Sequence, residues 1–198
     1  MVVLDLASVE TYLLISRLAD LASERSGAVW CPLIGGPGAL DLDLAAAKTM
    51  SERMQLPLIR PAGHFQAVPR TMRVATLAAS RSKGARLMLR ATRLAWATGA
   101  DLDALFAPES ANCFIPPEEP DGYLAMIAHE ISLSLADVQH AAEDGSEQDI
   151  ELHVLAQGLE QIGIDTAPAV RRGSQIHLGF DAVSALLDAP RQLCSSST

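Results

Sequence analysis

The sequence contains few aromatic residues, few cysteines and no excess of positive charge. Aromatic residues make up 4% of the 198 residues, so we expect a core built mainly from Leu, Ala, Val, Ile and Met. Cys31, Cys113 and Cys194 are far apart and form neither a C-x-x-C pair nor a zinc-ligand spacing, which is typical of a reducing, cytoplasmic setting. The net charge of −9 argues against a nucleic-acid partner, because an acidic chain repels phosphate.

Long apolar runs and metal-ligand motifs are also missing. No apolar stretch approaches the roughly 20 residues that span a bilayer, and no signal-peptide pattern opens the chain. We therefore expect neither a membrane segment nor a membrane partner. The five histidines have no H-E-x-x-H or other metal-ligand spacing, so we expect no metal site.

The order of strand-like and helical segments predicts an α/β fold. Residues 2–6 and 28–34 have the pattern of buried strands, and a helical pattern over residues 9–25 separates them. This β-α-β order implies parallel pairing with a right-handed crossover. Helical patterns then dominate to about residue 162, and two short strands are predicted at 168–172 and 175–180, followed by a last helix.

Strands from both ends of the chain must share one sheet in this arrangement, so the helical block between them is an insertion. We assign residues 1–40 and 163–198 to a sheet domain and residues 41–162 to a helical insertion domain. The predicted architecture is a thioredoxin-like fold with a large all-helical insertion.

Ser8 stands where the first helix is predicted to begin, in the segment DLASVETYLL. Taken alone, Ser8 is best interpreted as a helix N-cap. The exposed N–H groups and the dipole of a helix N-terminus also favour a bound anion. A serine hydroxyl at that position can donate to a thiolate and lower the pKa of the thiol. The two roles do not exclude each other.

Five segments occur in an order and spacing found in one known group of proteins. They are DLASVETYL, WCPLIGG, RATRLAWATGADLDAL, GIDTAPAV and HLGFDAVSAL. Together they resemble the kappa-class glutathione transferases and the 2-hydroxychromene-2-carboxylate isomerases, which are relatives of DsbA. The resemblance covers about residues 2 to 189 and implies glutathione as the cofactor and a homodimer.

The resemblance also implies a set of site residues. Ser8 falls on the catalytic serine of the family, and Pro168 falls on its cis-proline, next to which the Ala167 backbone would pair with glutathione like a strand. Asp181 falls on an aspartate that helps to hold the γ-glutamyl ammonium of glutathione. Phe180, next to Asp181, is predicted as a further glutathione contact. Lys48 is predicted as another, because it is the only obvious cation near the loop that follows the second strand.

Some positions depart from the family pattern. Val9 replaces the proline that usually follows the serine, and Ala182 stands where arginine usually follows the aspartate. Glu10 adds negative charge near a site meant to hold a thiolate, which works against that role.

Three functions are consistent with this sequence. The leading hypothesis is a glutathione-dependent cis–trans isomerase of a 2-hydroxychromene-2-carboxylate-like aromatic or polyketide-like intermediate, with a small apolar or aromatic substrate. The alternatives are a kappa-like glutathione transferase and a glutathione-independent or non-catalytic pocket protein of a biosynthetic pathway. A disulfide oxidoreductase is disfavoured, because Ser8 and Thr11 occupy the positions where DsbA relatives carry cysteines.

Overall fold

A computed structural model of the chain describes residues 1–18, 29–34, 44–62, 68–101 and 122–188. The strands are β1 (Val2–Leu4), β2 (Trp30–Pro32), β3 (Ala169–Arg172) and β4 (Gln175–Leu178). The helices are α1 (Val9–Arg17), α2 (Leu44–Arg53), α3 (Val68–Ser80), α4 (Gly84–Thr98), α5 (Gly122–Glu130), α6 (Leu135–Ala142), α7 (Glu147–Gln161) and α8 (Gly179–Asp188). The predicted continuation of the first helix to residue 25 lies outside the described residues.

The strands form one mixed sheet in the order β2-β1-β3-β4. β1 pairs with β2 in parallel, as the β-α-β order predicts, and it pairs with β3 antiparallel. β3 and β4 form a hairpin whose tight turn contains Gly173, at a φ of 61° that favours glycine. Both ends of the chain therefore contribute to one sheet, as predicted. Every regular element in the described part of residues 41–162 is a helix.

Alternate residues of β1 face two apolar clusters. Val2 and Leu4 pack in the larger cluster, which contains the helices α1, α3 and α4, whereas Val3 packs in a smaller cluster on the other face. The C-terminal part of α7 covers that second face with Leu159. This alternation follows from the two-residue period of a strand, and it explains why β1 has apolar residues at consecutive positions.

The larger cluster joins the helices of the insertion to the elements around the sheet. It contains Leu13 of α1 and Val183 of α8 together with Met72 of α3 and Trp96 of α4, all fully buried. Each such side chain contributes about 1.5–3 kcal/mol relative to its exposure to water. The division into residues 1–40 with 163–198 and residues 41–162 remains a proposal about how the chain is organised.

The described helices include none that is long and apolar enough to cross a membrane. Among the same described residues, no group of three His, Cys, Asp or Glu side chains could hold a metal ion.

An ion pair joins α3 to the start of α7. The Arg73 side chain is 11% exposed, and its Nε lies 2.7 Å from Oδ1 of Asp149. Its Nη1 donates to the carbonyl oxygen of Ala142, at 3.0 Å, at the end of α6. The hydrogen bond from Arg73 lowers the pKa of Asp149, opposed by a smaller effect of burial. Arg73 therefore connects three helices of the insertion through one guanidinium.

We expect Asp149→Asn to lower the free energy of unfolding at pH 7 by about 1.5–3 kcal/mol, the usual range for a hydrogen bond to a charged group. The pKa of Asp149 is lower in the folded state than in the unfolded state. The ionised Asp149 carboxylate therefore contributes its full stabilisation at pH values above its unfolded pKa near 3.9. This stabilisation is lost as the pH falls through the pKa of Asp149 in the folded state. Urea unfolding at pH 7 and at pH 3 measures both effects.

Asp137→Asn is the matched control, because Asp137 pairs with Arg81 while both side chains are more than 40% exposed. Exposed pairs contribute little, so this variant should lose less stability. An equal loss of unfolding free energy in the two variants at pH 7 would contradict a larger contribution of Asp149 than of an exposed ion pair.

Candidate functional site

Ser8 is the N-cap of α1. Its backbone is extended (φ −85°, ψ 126°), and its Oγ accepts a hydrogen bond of 3.1 Å from the backbone N–H of Thr11. The residue is only 1% exposed. The N-cap interpretation of Ser8 is therefore confirmed.

The Ser8 hydroxyl donates its hydrogen to Glu10. Its Oγ lies 2.9 Å from Oε2 of Glu10, in the first turn of the same helix. A serine has a single O–H donor, so this bond uses the hydrogen that a bound thiolate would need. The Glu10 side chain thus turns back toward Ser8, and its carboxylate lies at the helix N-terminus, where negative charge is favoured.

Two buried polar side chains fix the turn between β1 and α1. The Asp5 carboxylate accepts from the N–H of Ala7 at 3.0 Å, and the Asp5 carbonyl accepts from the N–H of Ser8 at 3.2 Å. The Thr11 hydroxyl oxygen accepts from the N–H of Asp5 at 3.1 Å. Thr11, which the sequence analysis placed at the second cysteine position of DsbA relatives, therefore faces back to β1 and accepts a backbone hydrogen bond. These bonds end β1 at Leu4, two residues earlier than predicted.

The helical insertion supports this turn from outside. Trp96 of α4 is fully buried, and its Nε1 donates to the carbonyl oxygen of Leu6 at 3.2 Å. Tyr12, one turn after Ser8, donates from its hydroxyl to the carbonyl oxygen of Pro57 at 2.7 Å. Burial raises the pKa of the Tyr12 phenol, and the nearby Arg93 opposes that effect.

Gly99 ends α4 and allows the chain to pack closely against the segment after Pro57. It has the left-handed conformation (φ 69°), and a Cβ at this position would lie 2.3 Å from Cγ2 of Ile59. The N–H of Ile59 donates to the carbonyl oxygen of Trp96 at 2.8 Å. In the sequence, the segment WATG is recognisable only as part of a family motif. Its tryptophan and glycine hold the Ser8 turn and the Pro57 segment together.

Pro168 lies beside the start of the Ser8 turn. The bond from Ala167 to Pro168 is cis, as predicted. Ala169 pairs with Val3, and this antiparallel register places Pro168 next to Leu4, where β1 ends. The carbonyl oxygen of Pro168 accepts from the N–H of Gly179 at 2.8 Å. The half-buried Ala167 makes no backbone hydrogen bond to another described residue.

The remaining site residues of the sequence prediction lie on helices that pack against α1. Asp181 is exposed in the first turn of α8, and Phe180 is half-buried against the larger cluster. Lys48 is exposed on α2. Both helices contact α1, but within the described part of the chain no hydrogen bond or ion pair joins Ser8 to Asp181 or Lys48. Their roles stay predictions.

The fold has the architecture expected of a thioredoxin-like protein, and the described elements between β2 and β3 are all helices. The predicted fold class is therefore confirmed. A solved structure of 2-hydroxychromene-2-carboxylate isomerase (HCCA isomerase) is similar, with a TM-score of 0.68 over 94% of this chain and 91% of that chain. The two sequences are 16% identical, so the likeness establishes a shared fold. The sequence matches no protein-family model and no curated protein.

Proposed function

We propose that the protein is a glutathione-dependent cis–trans isomerase, acting on a small apolar or aromatic substrate of the 2-hydroxychromene-2-carboxylate or polyketide-like kind. The observation that carries this proposal is the position of Ser8 at the N-terminus of α1, with Pro168 beside the same turn. The fold shared with HCCA isomerase supports it.

The backbone at Ala167 fits a glutathione site. Its N–H and C=O have no backbone partner among the described residues, so they are available to an extended peptide. Glutathione, when bound, would supply a nucleophilic thiol. Ser8 would orient that thiol by donating its O–H, while Thr11 N–H keeps the Ser8 oxygen in place. Asp181, Phe180 and Lys48 would hold the two ends of the tripeptide.

Glu10 favours a second candidate, a glutathione-independent pocket protein. The Glu10 carboxylate accepts the Ser8 hydrogen and brings a negative charge next to the position proposed for a thiolate. A negative charge that is already present in a site raises the free energy of a second anion, here the thiolate, in the same site. In this candidate, Ser8 and Glu10 only cap α1, and any activity needs no thiol.

The proposal includes a cytoplasmic location and a homodimer. Sedimentation equilibrium of the purified chain would measure the association state directly. A monomer at micromolar concentration would remove the homodimer from the proposal and leave the chemistry at Ser8 untouched.

We expect Ser8→Ala to reduce turnover of a chromene-type substrate about ten- to hundred-fold, because one charge-assisted hydrogen bond to the reacting anion is lost. The cost in folding stability should be only about 1 kcal/mol, as for other lost N-caps. Initial rates with and without added glutathione, together with urea unfolding, measure the two effects.

Ser134→Ala is the matched control for this variant. Ser134 caps α6 with the same geometry, since its Oγ accepts from the N–H of Asp137 at 3.1 Å. This variant should lose a comparable cap and keep full turnover. Turnover that needs no glutathione and is unchanged in Ser8→Ala would favour the glutathione-independent candidate.

A further inference from the structure

An open groove of about 250 Å³ runs between α4 and α5. The apolar part of its lining, named the floor, is formed by Leu94 and Ala97 of α4 and by Met126 and Ile127 of α5. Ile127 is buried, but 41% of Met126 is exposed. Apolar side-chain surface is thus open to solvent in a concave site, whose volume is close to the lower end of the range for small-molecule pockets.

The charged groups of this groove are unevenly paired. Arg90 at the rim forms an ion pair of 2.8 Å with Glu130. Arg93, one turn further along α4, makes no hydrogen bond or ion pair with another residue of the described part of the chain. Among the described residues, the groove is lined by two guanidinium groups and one carboxylate, which together carry a net positive charge in a chain whose net charge is −9.

We propose that this groove binds a small amphipathic anion, with its apolar body on the Leu94–Met126 floor and its carboxylate or sulfonate on Arg93. A guanidinium offers a planar pair of N–H donors that match the two oxygens of such an acid. The apolar body of the ligand would cover exposed surface of the floor, and removing that surface from water is favourable. The site contains neither Ser8 nor Pro168, so the inference goes beyond the proposed function and does not depend on it.

The small volume of the groove and its positive charge together favour a small anion over a second copy of the chain as the occupant. A second copy would bring a surface that is negative on average but much wider than this groove, whereas one acidic group with an apolar body satisfies Arg93 and the floor together. An interface between copies is therefore an alternative that the experiment must separate from ligand binding.

The test compares two fluorescent dyes that differ in charge, anilinonaphthalene sulfonate and the neutral phenylnaphthylamine. Arg93→Gln should weaken binding of the sulfonate dye about tenfold, since one charge-assisted hydrogen bond is lost, and should leave the neutral dye unaffected. Ala97→Trp, which fills the floor, should weaken both dyes. Urea unfolding of each variant verifies that it is folded.

Arg172→Gln is the matched control, because it removes one exposed arginine from β3, away from the groove. It should change the affinity for neither dye. Sulfonate affinity that is equal in the wild type and Arg93→Gln would overturn the proposal, as would unchanged binding in Ala97→Trp. A change of molecular mass on size-exclusion chromatography in Arg93→Gln, with dye binding unchanged, would assign the groove to an interface.

Discussion

Replacing Glu10 with glutamine should increase the ionised fraction of a bound glutathione thiol at pH 7 about tenfold or more. The Glu10 carboxylate lies 2.9 Å from the Ser8 hydroxyl and binds its hydrogen. At an effective dielectric constant near 20, two like charges about 5 Å apart repel by about 3 kcal/mol, which the partial exposure of Glu10 reduces. Removing the charge therefore lowers the pKa of the thiol. It also weakens the hold of residue 10 on the Ser8 hydrogen, because an amide oxygen is a weaker acceptor than a carboxylate.

Absorbance of the thiolate near 240 nm, titrated with pH in the presence of each variant, measures this effect. Calorimetry of glutathione binding at neutral pH gives an independent readout. Glu52→Gln is the matched control, because Glu52 is an exposed carboxylate on α2. It should leave both measurements unchanged.

Three outcomes of the Glu10 experiment have different meanings. A rise in the thiolate fraction in Glu10→Gln supports the thiol mechanism and assigns Glu10 an inhibitory effect on it. A fall would contradict our prediction and would mean that the carboxylate assists the thiol. Absence of glutathione binding in the wild type and in both variants would favour the glutathione-independent candidate.

The second large effect is expected at Trp96. Trp96→Ala should lower the free energy of unfolding by about 3–5 kcal/mol, the range for truncation of a large buried aromatic side chain. Trp96→Phe keeps most of the packing but leaves the Leu6 carbonyl without its indole donor, which should cost about 1–3 kcal/mol. Urea unfolding followed by circular dichroism measures both variants.

The Phe variant also tests whether α4 holds the Ser8 turn. Hydrogen exchange at the amides of Ala7 and Ser8 should become faster in Trp96→Phe than the global loss of stability explains, because the adjacent Leu6 carbonyl is no longer anchored. Trp30→Phe is the control, since Trp30 is the other tryptophan and lies half-buried on β2. Unchanged exchange at the turn in Trp96→Phe would contradict the supporting role.

Local sequence signals predicted much of the arrangement around the turn. Ser8 followed by a helical pattern predicted the cap, and the apolar run before it predicted β1, because caps and strand patterns depend on neighbouring residues. The cis bond before Pro168 was predicted from the resemblance to a family, since an isolated proline would favour trans.

Other features of the site depend on tertiary structure and were not visible in the sequence. The sequence placed Glu10 near Ser8 but did not show whether its side chain turns inward, which depends on the rotamer and on the Ser8 hydroxyl. Trp96 donates to Leu6 from 90 positions away, and no local pattern encodes that contact. Asp5 and Leu6 were predicted as strand, but the hydrogen bonds of Asp5 to Ala7 and Ser8 turn the chain out of the sheet.

The pairing of β1 with β3 has a consequence for the order in which the molecule assembles. The N–H of Arg171 donates to the carbonyl oxygen of Met1, and these residues are 170 positions apart. Closing so long a loop has an entropic cost that arises before the contacts that offset it can form. Non-local pairing of this kind therefore slows folding. During synthesis on a ribosome, β1 cannot meet its antiparallel neighbour until residues about 170 positions further along have been made, so the Ser8 turn and Pro168 come together only after the residues between them.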